Sequence, residues 1–134
     1  MGAEGNIKTI QTIYEAFGRG DVAAITDAVT DDVDWATEAS GKGAPWYGPH
    51  RGTAGVKDFF AAFGSTMEVQ EFTPTTFAGT ENEVLTVVRC VATPRTTGRQ
   101  VTMDLHHYFR FRGDKIEYYR GTEDTAQVSA ALEA

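Results

Sequence analysis

The hydrophobic pattern changes period near the middle of the chain, and that change constrains the fold more than any single motif. Ile7, Ile10, Tyr14 and Phe17 recur at three- and four-residue steps, which stripes one face of a helix. Gly18 and Gly20 end it, and Asp21 is placed to cap a shorter helix carrying Val22, Ile25 and Val29. Val33 and Trp35 alternate with Asp32 and Asp34, as in a short strand. A loop with Gly41, Gly43, Pro45, Gly48, Pro49 and Gly52 follows. Thr53 is a candidate cap for a third helix, with Val56, Phe59, Phe60 and Phe63 on one face and Gly64 after it.

From Met67 the residues are β-branched or aromatic and mostly alternate, over 67–77, 82–92, 99–112 and 115–123. Thr97-Gly98 and Gly113-Asp114 mark turns between these runs. A final short helix over 125–132 is capped by Asp124. Helices first and an antiparallel meander afterwards predict an α+β domain with helices packed on one face of a sheet. The 134 residues read as one domain over 1–134, its folded core over about 6–126.

Charge narrows the class of partner. Twelve Lys and Arg against 19 Asp and Glu leave a formal charge of -7. Nucleic-acid backbones and anionic membrane surfaces are recognised mainly by basic side chains, so neither is expected as a partner. Cys90 is the only cysteine, which excludes an intrachain disulfide. The first residues lack the apolar core of a signal peptide, and no run approaches a membrane span, so a cytoplasmic location is expected.

The 99–112 strand carries the most chemical information. Val101, Met103, Leu105, Phe109 and Phe111 point one way, and His107 lies on that same apolar face. Such a ring is either a core histidine satisfied by one hydrogen bond or a general acid or base in an apolar pocket. Its neighbour depends on the register of the last hairpin. A two-residue turn at Gly113-Asp114 pairs His107 with Arg120, which would lower the imidazole's pKa. One bulge instead brings Tyr119, Gly121 and Glu123 to His107's side, and Glu123 would raise the pKa and orient the ring. Both registers are open to the sequence. No metal is expected: His106 and His107 face opposite sides of a strand, and His50 lies in a distant loop.

Four segments together resemble the SnoaL-like branch of the nuclear-transport-factor-2-like superfamily, which includes ketosteroid isomerase and polyketide cyclase relatives. They are Ile13-Tyr-Glu-Ala-Phe-Gly-Arg-Gly-Asp21, Asp31-Asp-Val-Asp-Trp35, Tyr47-Gly-Pro-His-Arg-Gly52 ahead of Val56 and Phe59-Phe60, and His107-Tyr-Phe-Arg-Phe-Arg-Gly-Asp-Lys-Ile116. The resemblance implies a cone-shaped fold, in which a curved, mostly antiparallel sheet wraps N-terminal helices around an apolar cavity. It implies a homodimer through the sheet, for which the outward-facing Tyr108, Arg110 and Arg112 are suited. It also implies cofactor-independent acid/base chemistry (isomerisation, cyclisation or hydrolysis) on a small hydrophobic polyketide-, steroid- or terpenoid-like molecule. Relatives that only bind or dimerise make a non-catalytic domain the alternative.

His107 falls where the cyclases place a catalytic histidine, but their partner aspartate falls at Gly121. The isomerase's base falls near Thr37, and its tyrosine donor near Ile13, beside Tyr14. The expected catalytic set is therefore His107 to move the proton, Glu123 to orient it, and Tyr14 or Tyr119 to donate a hydrogen bond to a developing enolate. Trp35, Trp46, Phe59, Phe63, Met103, Leu105, Phe109, Tyr119 and Arg120 are expected to contact the ligand. No cofactor is expected.

Overall fold

Six strands hydrogen-bond into one open mixed sheet, in the order β2-β1-β6-β5-β4-β3. The computed structural model describes residues 2–40 and 43–134, so Gly41 of the glycine-rich loop lies outside the described residues. Along the chain the elements are α1 (Ala3–Gly18), α2 (Val22–Thr26), β1 (Val29–Thr37), β2 (Gly48–Arg51), α3 (Gly52–Thr66), β3 (Met67–Gly79), β4 (Glu83–Pro94), β5 (Val101–Arg112), β6 (Lys115–Thr122) and α4 (Thr125–Leu132). Strands β3 to β6 form the expected antiparallel meander, and β1 adds to it in parallel beside β6. The architecture is α+β, as the change of period predicts. None of the described helices is long and apolar enough to cross a membrane.

The helix stripes explain the packing. Ile10, Ile13 and Ala16 of α1 are buried against the sheet, with Tyr14 and Phe17 half-buried beside them. Asp21 caps α2 by accepting the Ala24 N–H at 3.1 Å, and Asp124 caps α4 by accepting the Gln127 N–H at 3.1 Å. Thr53 does not cap α3. The chain leaves β2 through Gly52, whose φ of 71° turns it directly into the helix, so Thr53 already lies in the first turn. Gly64 is likewise inside α3, which runs on to Thr66. Val29 opens β1 and does not belong to the second helix, and Gly48–Arg51 forms a short edge strand inside the predicted loop.

Both terminal helices are tied into the fold. The Asn6 amide, fully buried, donates to the carbonyls of Thr80 and Glu81 at 3.4 and 2.8 Å and ties α1 to the β3–β4 turn. At the other end Val128 and Ala131 of α4 are buried.

The last hairpin adopts the bulged register. Phe111 pairs with Ile116, but an irregularity between Arg110 and Phe111 then pairs Phe109 with Tyr119 and His107 with Gly121. Tyr119, Gly121 and Glu123 therefore share His107's side. Arg120 goes to the outer face, where it pairs with Asp34 at 3.0 Å and Glu38 at 3.3 Å. Tyr118 lies between two guanidiniums there, 4.2 Å from Arg110 and 4.1 Å from Arg120.

Candidate functional site

The inner face of the sheet, α1, α3 and the Ala44–Tyr47 segment enclose a cavity. Free space between atoms in it and at its mouth is about 660 Å3. Its walls are aromatic: Trp35 stacks on Tyr119 with ring centres 4.1 Å apart, and Trp46 meets Phe63 edge to face at 5.0 Å.

His107, Tyr14 and Glu123 all line this cavity, as do Trp35, Trp46, Phe59, Phe63, Met103, Leu105, Phe109 and Tyr119. Arg120 does not. Its expected place beside His107 required the unbulged hairpin, and a cation on the apolar side would have had no carboxylate to offset its lost hydration.

His107 is 8 % exposed and sits between Leu105 and Phe109 on β5, opposite Thr86 on one side and Gly121 on the other. The Tyr14 hydroxyl lies 2.6 Å from its Nδ1 and 2.6 Å from Thr86 Oγ1. Nε2 has no hydrogen-bond partner among the described residues. Burial disfavours the imidazolium and, with a smaller push from His106, brings the His107 pKa down to about 3. The ring is therefore neutral across the physiological range. Tyr14, for the same reason of burial, is held protonated far above the ordinary phenol range.

Glu123 stands just beyond β6 and does not orient His107. Its Oε2 accepts a hydrogen bond from the Tyr47 hydroxyl at 2.8 Å. Burial raises its pKa, partly offset by that bond and by the nearby Trp46 indole. No cation pairs with it among the described residues. The Cys90 thiol shares the cavity and is pushed up to about 12, chiefly by burial and then by the charge of Glu123, so it stays protonated.

Gly121 leaves room that a neighbour uses. A Cβ there would lie 2.3 Å from Tyr119 Oη and 3.3 Å from His107 Cδ2. The Tyr119 hydroxyl thus occupies the space beside the imidazole edge where the expected aspartate is missing. Burial holds this phenol protonated as well, and no hydrogen bond contributes to its pKa. One further donor at the cavity wall, the buried indole N–H of Trp35, has no acceptor among the described residues, while the Trp46 indole N–H lies near Glu123. An unpaired buried donor is rare.

Sequence reasoning missed Thr86 and Tyr47. Thr86 carried a signal: it occupies the inward phase of β4, between Val84 and Val88, where a hydroxyl needs a partner. Tyr47 carried none, since its reach to Glu123 depends on how the loop folds. The three imidazoles do not converge, and among the described residues no cluster of His, Cys, Asp or Glu could hold a metal ion. His50 instead contacts the Trp46 carbonyl at 3.1 Å and shapes that segment.

The profile of the SnoaL-like domain family matches residues 10–119 of this chain. Among solved structures, an NTF2-like protein from Burkholderia xenovorans LB400 superposes with a TM-score of 0.88 at 22% identity, over 99% of this chain and 99% of its own. An NTF2-like protein of unknown function from Burkholderia pseudomallei K96243 gives 0.89 at 23% identity, over 97% and 98%. TerC, co-crystallized with polyporic acid, gives 0.84 at 23% identity, over 97% and 99%. At such identities the likeness is one of fold. A search of the curated proteins finds no match.

The Gly121–Tyr119 contact is testable by stability. Gly121→Ala is expected to destabilise the fold by ~1–3 kcal/mol, because its methyl group meets the phenol oxygen. Tyr119→Phe removes that oxygen, so the double variant should recover at least ~0.5 kcal/mol over the sum of the single changes. Urea denaturation of the four proteins measures this coupling, and strict additivity would show that the two residues do not share the space.

Proposed function

We propose that this chain, which belongs to the SnoaL-like family, is a cofactor-independent enzyme that moves a proton on a flat, hydrophobic small molecule of polyketide, steroid or terpenoid character. The observation that carries this reading is electrostatic. One apolar cavity holds an imidazole whose pKa is pushed down and a carboxylate whose pKa is pushed up, and such divergence marks acid/base assignments. The likeness to TerC, which was co-crystallized with polyporic acid, supports a small-molecule ligand.

The roles expected from sequence are exchanged. An imidazole with a pKa of about 3 is too weak a base, whereas a carboxylate made more basic by burial is suited to take a proton. In the proposed step the Glu123 carboxylate removes a proton from carbon next to a carbonyl. The C–H electron pair becomes a C=C bond, and the carbonyl π pair moves onto oxygen, which faces His107 and Tyr119. Return of the proton to another carbon is isomerisation; attack of the enolate carbon on a second carbonyl closes a ring. Tyr14 is engaged with His107 and Thr86, so Tyr119 is the tyrosine free to meet the oxygen.

The competing reading is a domain that binds without chemistry, favoured by the missing carboxylate at Gly121. Deuterium uptake from solvent into 1-tetralone, an enolisable bicyclic ketone, separates the two. Glu123→Gln should lower the exchange rate by roughly 10²–10⁴-fold. In the native protein the rate should fall as pH drops through a value above the ordinary carboxylate range, because the base must be ionised and its pKa is raised. His107 stays neutral through that window. Saturable binding with no exchange would select the binding domain, and an unchanged rate in Glu123→Gln would remove Glu123 as the base.

We infer in addition a homodimer through the outer face of the sheet. Tyr108, Tyr118, Arg110 and Arg120 cluster there beside Leu85, which is 51% exposed. Sedimentation at micromolar concentration should give about twice the 14.6 kDa chain mass. A single species at the chain mass would refute the dimer.

A further inference from the structure

The proton between Tyr14 and His107 decides what the cavity offers a ligand. Three groups from three elements form one chain: Thr86 Oγ1 of β4, Tyr14 Oη of α1 and His107 Nδ1 of β5, with 2.6 Å at each step. Only two proton orderings use the Tyr14 proton within the chain; a third, in which Thr86 and Nδ1–H both donate to Tyr14, strands the phenol's own buried proton. In one, Nδ1–H donates to Tyr14 and Tyr14 donates to Thr86. The Thr86 hydroxyl proton is then stranded, because this side chain is 3% exposed and has no other partner among the described residues. In the other, Thr86 donates to Tyr14 and Tyr14 donates to Nδ1. The one proton left over, on Nε2, belongs to a ring that lines the cavity, as Thr86 does not, so water or a ligand can accept it. An unpaired buried donor bears its full desolvation cost, which selects the second ordering.

That ordering puts the remaining imidazole proton on Nε2. The atom next to it in the ring, Cδ2, lies 3.3 Å from where a side chain at position 121 would begin, and the Tyr119 hydroxyl occupies that space. Nε2–H and the Tyr119 O–H are thus two unspent donors on the same side of the ring.

We propose that Tyr14, its hydroxyl positioned by Thr86, holds His107 as a fixed Nε2–H donor, so that this end of the cavity selects ligands presenting an acceptor oxygen: a ketone, quinone or ester carbonyl, or the enolate derived from it. Thr86 and Tyr14 are positioning residues that act through His107. The selectivity half rests on the ligand-site reading above; the tautomer is read without any ligand, so either can fail alone.

Nitrogen NMR of protein labelled at its histidine rings decides the tautomer at neutral pH, with His107→Gln identifying the signals by their loss. The expected pattern is a protonated Nε2 and an unprotonated, hydrogen-bonded Nδ1. Thr86→Val should leave this tautomer unchanged, since Tyr14 keeps Nδ1 as its acceptor. Tyr14→Phe should shift the Nδ1 resonance toward that of an unbonded nitrogen. A proton on Nδ1 in the native protein, a tautomer that flips in Thr86→Val, or an Nδ1 signal unmoved in Tyr14→Phe would overturn the proposal. For selectivity, tryptophan fluorescence should show 1-tetralone binding roughly tenfold tighter than tetralin, its hydrocarbon counterpart. His107→Leu should erase most of that ratio. Equal affinities, or binding of neither, would overturn the acceptor-selective half.

Discussion

The pairing of β5 with β6 is the constraint on which the site depends. A shift of one residue in a strand exchanges its two faces, so the irregularity at Arg110–Phe111 decides the identity of every inward side chain beyond it. With the bulge, Tyr119 and Gly121 enter the apolar side and Tyr118 and Arg120 leave it. Without it, a guanidinium would face Leu105, His107 and Phe109, far from the Asp34 and Glu38 carboxylates that it now meets. A buried cation with no partner is among the costliest things a core can contain. The outer face rewards the same choice, since Arg110, Tyr118 and Arg120 stack there. Both faces thus favour one register, which explains why a two-residue turn does not dictate the pairing.

Once the register is set, the cavity's electrostatics follow from exclusion of water more than from pairs of charges. Burial is the first cause of the displaced pKa of His107, Tyr14, Tyr119, Cys90 and Glu123 alike. It favours the neutral form of each. Glu123 has compensation from a Tyr47 hydroxyl and an indole nearby, and Tyr14 a smaller one from Thr86. The cavity is therefore a mostly neutral enclosure in which the Glu123 end supports negative charge, with donors at His107, Tyr119 and Trp35 that have no acceptor among the described residues.

Much of this was legible in the sequence because alternation and helical spacing report burial directly. His107 stands out since it interrupts a run of apolar residues in the inward phase of β5, and Trp35, Met103 and Phe109 declare themselves by the same rule. Local rules failed where a distant contact or a special backbone conformation intervened. Thr53 has the chemistry of a cap, but Gly52 starts the helix before it. The hairpin register could not be read, because the partners it gives Arg120, Asp34 of β1 and Glu38 just beyond it, are remote in sequence. Glu123 was found as a carboxylate on the right face, yet its partner was misassigned: Tyr47 reaches it from a loop with no periodicity.

The exchange at position 121 then has a chemical consequence. An aspartate there would stand two residues from Glu123 on the same strand face, inside the same apolar space. Two carboxylates so placed would oppose each other's ionisation, and one would be kept protonated. Gly121 with the Tyr119 hydroxyl replaces the nearer one by a neutral donor. Glu123 is left to ionise against its own burial, with no second carboxylate lining the cavity among the described residues. In the proposed step a neutral ligand surrenders a proton at the Glu123 end while its oxygen, at the His107 end, takes up the charge. The negative charge would then pass from one end of the cavity to the other, without two carboxylates charged at once.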